Sequence, residues 1–179
     1  HRHHIQCPTI ALTGSNGKTS VKEMIYSSLP KPALCSIGNF NNHIGVPLSV
    51  LRLRAEHRYA VFEQGANHIG EIAHTVTITQ PDVALINNIA PAHIEGFGSI
   101  DGVARAKGEI YTGLKKDGIA IINDDDNYHH FWDDILKDKL VYRFSMMHQA
   151  DIYADNIQMN SFNCAEFKIH FPNQQFADI

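Results

Sequence analysis

The stretch Thr9-Ile10-Ala11-Leu12-Thr13-Gly14-Ser15-Asn16-Gly17-Lys18-Thr19-Ser20-Val21-Lys22 decides the reading of this chain. Residues 9–12 form an apolar run of strand length. Residues 13–18 read as a loop. Residues 19–29 follow with helical spacing, Val21, Met24, Ile25 and Ser28 on one face, and Pro30 and Pro32 stop the helix. Strand, glycine-bearing turn and helix in that order make a phosphate-binding loop. Gly14 and Gly17 let the backbone curl with its N–H groups turned inward, and the helix adds the positive end of its dipole. Lys18 can reach the β- and γ-phosphates of a nucleotide, and the Thr19 hydroxyl can sit on Mg²⁺. The longer GxxxxGK[ST] pattern needs glycine where this chain has Leu12, so the match is the shorter TGxxGKT form. A Gly/Asn turn with an exposed lysine is the competing reading, and the flanking strand and helix argue against it. The nucleotide set is therefore Thr13, Gly14, Ser15, Asn16, Gly17, Lys18, Thr19 and Ser20.

Outward from this loop, short β-rich runs alternate with helical patterns. Strands are expected at residues 33–36, 59–63, 83–86, 119–122 and 140–144. Helices are expected at 48–53, around 70–76, from a Ser99 cap to residue 114 with Val103, Ala106, Ile110 and Leu114 inward, and around Phe131, Trp132, Ile135 and Leu136. Residues 38–47 and 87–98 read as loops. Such alternation predicts an α/β fold, a P-loop mainly parallel sheet flanked by helices. After Ser145 the texture changes. Residues 152–159 and 165–171 read as strands with no helix between them, which predicts a small antiparallel β subregion at the C-terminal end. The expected organisation is a linker at 1–8 and one domain at 9–179, divided into an α/β core at 9–145 and a β extension at 146–179.

Composition narrows the function classes. With 179 residues, 44% hydrophobic and 19% charged, the chain has the make-up of an ordinary globular domain. A net charge of −4 argues against nucleic acid as a partner. No apolar run approaches the ~20 residues of a membrane span. Three widely spaced cysteines, Cys7, Cys35 and Cys164, suggest neither a disulfide framework nor a zinc site, and fit a cytoplasmic location. The start at His1-Arg2-His3-His4, without Met, reads as a piece cut from something longer, its histidines native or tag.

Ligands of open α/β sheets sit beyond the carboxyl ends of the strands. Three further loops leave from that edge, and each carries polarity. Glu63 ends an apolar strand near Thr19, where a carboxylate suits Mg²⁺ beside phosphates. Asn87 and Asn88 end another, with His93 and Glu95 close behind. Asn39, Asn41, Asn42 and His43 crowd the loop after the second strand. Residue chemistry alone does not make His93 a magnesium ligand, because Mg²⁺ prefers oxygen. Nor does it separate Lys107 from Lys115 or Lys116.

Several of these segments resemble the Mur ligases. Residues 11–22 are similar to the ATP loop of that family. Gly38-Asn39-Phe40-Asn41-Asn42-His43-Ile44-Gly45-Val46-Pro47 resembles the branch that adds D-alanyl-D-alanine, as do Glu63 to Ile72, Ala92 to Gly98 and Ala106 to Ile110, in family order. The tail after residue 145 matches loosely. The resemblance implies an ATP-dependent ligase of cell-wall synthesis, in which the carboxylate of UDP-N-acetylmuramoyl-tripeptide becomes an acyl phosphate and the amine of D-Ala-D-Ala displaces phosphate. It implies metal ligands at Thr19, Glu63 and His93, two Mg²⁺ ions, and a carbamylated lysine (N6-carboxylysine) at Lys107. Lys18, His93 and Lys107 become the catalytic set, and Asn39 and Asn42 line the UDP-muramoyl side. Mur ligases have three domains; this chain resembles the central one and lacks the Asn-x-x-Asn-x-x-Ala adenine motif, so it is expected to be inactive alone. The alternatives are a folylpolyglutamate synthase-like ligase, a P-loop kinase, or a nucleotide-binding module without chemistry.

Overall fold

A computed structural model describes every residue of the chain except Ala92 and His93, and every described side chain except those of His3 and Gln174. The expectation for His93 therefore lies outside the described residues. The core begins with β1 (Thr9–Thr13), α1 (Lys18–Ser28), β2 (Ala33–Cys35), α2 (Gly45–Leu51), β3 (Tyr59–Glu63), α3 (Glu71–Thr79) and β4 (Val83–Ile86). It continues through α4 (Ile94–Phe97), α5 (Ile100–Thr112), β5 (Ile119–Asn123), α6 (Asp133–Leu136) and β6 (Leu140–Ser145). Then come β7 (Ile152–Met159), β8 (Ala165–His170) and β9 (Phe176–Asp178).

The described strands form one sheet in the order β2-β3-β1-β4-β5-β6-β7-β8-β9. Every pair from β2 through β7 is parallel, and β7–β8 and β8–β9 are antiparallel. β1 lies between β3 and β4, so the chain reverses its direction of travel there, and a crevice opens at the carboxyl ends of these strands.

Alternation along the strands divides the core into two layers. Leu12, Val61 and Leu85 face one side with Val21, Ile25 and Leu29 of the α1 segment. Ala11, Ala84 and Ala120 lie in register on the other side, and their small size brings in the layer of α3 and α5 through Ile72, Val76, Ala104 and Ile110. Ser99 caps α5 as expected, its Oγ accepting from Gly102 N at 3.0 Å. Val103, Ala106, Ile110 and Leu114 are all buried.

Several expectations are corrected. In α1, Met24 is 69% exposed and the fully buried residue is Lys22. Apolar spacing cannot foresee a buried lysine with polar partners on the helix's inner face. α2 starts at Gly45, three positions early, because Pro47 sits in its first turn, where no N–H is needed. The loop at 87–98 contains α4. Phe131 and Trp132 precede α6 rather than belonging to it. The antiparallel C-terminal strands stand as expected and continue the main sheet. β7 joins β6 in parallel through Phe144↔Ile152 and Ser145↔Tyr153, and a third strand, β9, closes the edge. Within residues 1–8, Arg2 and Cys7 are anchored to the core. Cys7 is buried, and the Arg2 guanidinium donates to the Thr79, Ile5 and Cys7 carbonyls and to Thr9 Oγ1.

Candidate active site

The crevice beside β1 brings together most of the residues named from sequence. Gly17 caps α1 in the left-handed conformation, φ 72°, which glycine adopts without strain. Gly14 is pressed against the next loop, where a Cβ would meet that of Asn87 at 3.0 Å. That contact belongs to a lock. Ser15 N donates to Asn88 O and Asn16 N to Asn88 Oδ1, both at 2.9 Å, while Asn87 Nδ2 donates to Asn16 O at 2.9 Å. The Ser15 hydroxyl donates to Ala90 O and accepts from Ala90 N. Behind the lock, Ile89 N donates to Asp126 Oδ2 at 2.6 Å and Asn123 Nδ2 to Asn87 O at 3.0 Å, tying in the end of β5.

This arrangement refines the nucleotide set. The amides of Ser15 and Asn16 are engaged by Asn88. Those of Gly17, Lys18 and Thr19 make no hydrogen bond among the described residues, so the first turn of α1 presents them outward. Lys18 Nζ reaches back to the carbonyls of Gly14 at 3.0 Å and Ser15 at 3.2 Å. Thr13 Oγ1, at the end of β1, is buried with no hydrogen-bond partner among the described residues.

Glu63 lies where strand register puts it. It pairs with Leu12 across β3 and β1 and shares Leu12's face, toward α1. Its carboxylate is 1% exposed. Thr19 Oγ1 donates to Oε2 at 2.9 Å and Asn41 Nδ2 to Oε1 at 2.8 Å. A hydroxyl and a carboxylate side by side at a phosphate loop are the hard oxygen donors that Mg²⁺ takes, so these residues fit the ion. Among the described residues, no three His, Cys, Asp or Glu side chains converge as a metal group. A two-oxygen site of this kind would rely on phosphates and waters for its remaining positions.

Lys107 is only 2% exposed, not a surface lysine. Burial lowers its pKa to about 8, helped by the charge of Lys18. Two residues on, Glu109 accepts from Gly70 N at 2.6 Å and Ala73 N at 2.9 Å, so α5 caps α3 while it carries Lys107. At Gly108, between the two, a Cβ would meet Trp132 Nε1 at 2.4 Å. Close packing of the indole therefore fixes the helix that bears Lys107.

Asn39 is exposed at the crevice rim. Asn42 uses its Oδ1 locally, accepting from Ile44 N at 3.1 Å and Gly45 N at 2.8 Å to start α2. The structure adds Asn41, which sequence reasoning left unassigned although it stands in the same Asn-rich run. It also gives Asn87 and Asn88 a task; their polarity at the end of an apolar strand was the visible signal.

A family profile described as the Mur ligase middle domain matches residues 12–178. The chain belongs to the Mur ligase family. A UDP-N-acetylmuramoyl-tripeptide--D-alanyl-D-alanine ligase of Escherichia coli (strain K12) is 49% identical to this Mur ligase domain over 174 residues, covering 96% of the chain and 38% of that protein. The chain thus spans well under half the length of this relative. Crystal structure I of MurF from Acinetobacter baumannii superposes with a TM-score of 0.90 at 42% identity, covering 99% of this chain and 40% of that one. MurF ligase from Thermotoga maritima, in complex with ADP, superposes at 0.85 with 26% identity, covering 98% and 41%. The mainly parallel α/β architecture with its antiparallel end is that of the Mur ligase fold. No helix among the described residues is long and apolar enough to cross a membrane.

Proposed function

We propose that this chain is the central ATP-binding domain of a ligase that joins D-alanyl-D-alanine to UDP-N-acetylmuramoyl-tripeptide. The supporting observation is the pairing of Thr19 Oγ1 with Glu63 Oε2 at the phosphate loop, in a domain 49% identical to such a ligase. In this reading residues 9–179 are the nucleotide domain, residues 1–8 connect to a preceding domain, and a following domain completes the nucleotide and amine sites. Such a fragment alone does not ligate. The whole protein works in the cytoplasm, where ATP and the UDP-linked precursor are made.

The reaction brings two anions together. The peptide carboxylate attacks the γ-phosphorus, ADP leaves, and the resulting acyl phosphate is opened by the amine, which loses a proton as phosphate departs. Lys18 and the amides of Gly17, Lys18 and Thr19 hold the phosphate oxygens and offset their charge. Thr19 and Glu63 would hold one Mg²⁺, which would screen the phosphates. His93, together with Lys107 in carbamylated form, would hold a second ion. A pKa of about 8 leaves part of the Lys107 amine unprotonated near neutrality, free to take up CO₂. The neighbouring Lys18 favours the anionic carbamate, an oxygen donor. Asn39 and the Asn42 side-chain amide contribute to the UDP-muramoyl side.

Hydroxylamine trapping of the acyl phosphate in the complete protein tests the reaction. Ligation with a trappable intermediate, lost in Lys18→Met and Glu63→Gln, is the expected result. Phosphate transfer that stops at a stable phosphorylated acceptor would make the protein a kinase, and turnover of folate substrates would make it a folylpolyglutamate synthase. ¹³CO₂ labelling read by NMR reports the carbamate, with the signal absent in Lys107→Arg.

A further inference from the structure

The least expected charge in the core is Lys22. It lies one turn beyond Lys18 on α1, and its side chain is 0% exposed. Its ammonium has three N–H groups and three acceptors: Ser36 O at 2.9 Å, Gly38 O at 3.3 Å and Glu23 Oε1 at 3.1 Å. Packing alone would be served by Leu or Met at this position without the cost of desolvating a cation. The two carbonyls open the Asn-rich loop between β2 and α2. Gly38 turns there with φ 50°, and a Cβ on it would meet open space, so it is the turn rather than crowding that favours glycine.

What this anchor holds leads to the metal carboxylate. Glu63 N donates to Ser36 Oγ at 3.1 Å, and Asn41 Nδ2 donates to Glu63 Oε1. Gly65 N donates to Asn41 O at 2.8 Å, closing the loop onto the end of β3. Lys22 thus fixes the start of the loop, Asn41 its middle and Asn42 its end.

We infer that Lys22 is a positioning residue that ties the loop at residues 36–45 to the phosphate-loop helix, so that the acid substrate meets a preformed loop, while Glu63 keeps its place through the buried strand β3. The substrate half of this inference rests on the ligase reading above; the anchoring half does not. A polar group removed from a buried charged contact typically changes an equilibrium by about tenfold or more.

The test compares Lys22→Met, which removes the donors, with Lys22→Arg, which keeps them. Hydrogen exchange is read at the amides of Phe40 and Asn41, which bond to Ile37 O and Asn39 O within the loop. Affinity for Mg·ADP is measured on the same chain. In the complete protein, KM for the UDP-linked peptide is compared with KM for ATP. Lys22→Met is expected to speed exchange about tenfold and raise the peptide KM about tenfold, with Mg·ADP affinity and the ATP KM within about twofold. Lys22→Arg is expected to recover most of both losses. Unchanged exchange in Lys22→Met, equal losses for nucleotide and peptide, or no recovery with Arg would overturn the role. If Lys22→Met does not fold, ¹⁵N-ammonium NMR of the unaltered chain decides. A slowly exchanging Lys22 ammonium coupled to the Ser36 and Gly38 carbonyls supports the anchor, and a rapidly exchanging one refutes it. Exchange and ammonium data stand whether or not the protein ligates, so failure of the anchor and failure of the ligase reading are separately visible.

Discussion

β3 and β7 belong to the same sheet, yet they sit in different surroundings. In β3 every residue after Tyr59 is buried, because α1 covers one face and the α2 and α3 layer the other. In β7 no residue is fully buried and the last four are exposed. The sheet therefore extends beyond the region of full side-chain burial, carried by backbone pairing and half-exposed contacts such as Tyr153 stacked on His170. The buried half gains most from the hydrophobic effect, and it is there that functional groups are held rigidly: Glu63 ends a strand that cannot shift without moving Phe62 and Val61. The C-terminal half carries exposed Met146, Met147, Phe162 and Phe176 and offers its side chains more freedom.

The contrast can be broken hardest by truncating one aromatic ring in each half. Phe62→Ala is expected to cost about 3–5 kcal/mol, since its ring is fully enclosed. Phe176→Ala, at a position 59% exposed, is expected to cost under about 0.5 kcal/mol. Urea denaturation of both variants measures the difference, and equal costs would erase the distinction. Next in size is a comparison of lysines. Lys18→Met is expected to weaken Mg·ADP binding about a hundredfold. Lys168→Met, on β8 beside Asp178, is expected to leave it unchanged by calorimetry.

The seam between the halves lies at Asp124. Burial opposes its ionisation, but hydrogen bonds from His148, Arg143 and His129 prevail and hold its carboxyl well below the usual carboxylate range. A depressed folded pKa means that this stabilisation is present above the ordinary value of 3.8 and is lost as pH falls below it. Asp124→Asn is expected to cost about 2 kcal/mol at pH 7. The Tm gap from the unaltered chain should narrow below pH 4, and a gap that widens in acid would contradict the assignment. A smaller loss than at Asp124 is expected at Ser99, where removal of the α5 cap in Ser99→Ala should cost about 1 kcal/mol by urea denaturation.

Much of the core was legible because its signals are local. The phosphate loop stands in a strand–turn–helix context, β3 and β4 are unbroken apolar runs, and Glu63 is conspicuous at the end of one. Ser99 could be read as a cap because an amphipathic helix follows it. What could not be read depends on partners distant in the chain. Lys22 and Lys107 look like any helical lysines until Ser36, Gly38 and Lys18 are placed beside them. Asn41 and Asn42 are adjacent and chemically identical, yet one binds Glu63 and the other starts a helix. The C-terminal strands were recognised by composition, but their attachment to β6 depends on a two-residue parallel register that no periodicity announces.

That register map also sets the entropic cost of closing each part of the sheet. β1 must find β3 and β4, pairing Ile10 with Val61 and with Val83, so long segments must be closed into loops before its own parallel contacts form. The last strands need no such search: Tyr153 meets His170, and Ile169 meets Ala177, across short connections. The region with the least buried surface thus has the cheapest loops to close, and the strands that frame the phosphate loop have the costliest.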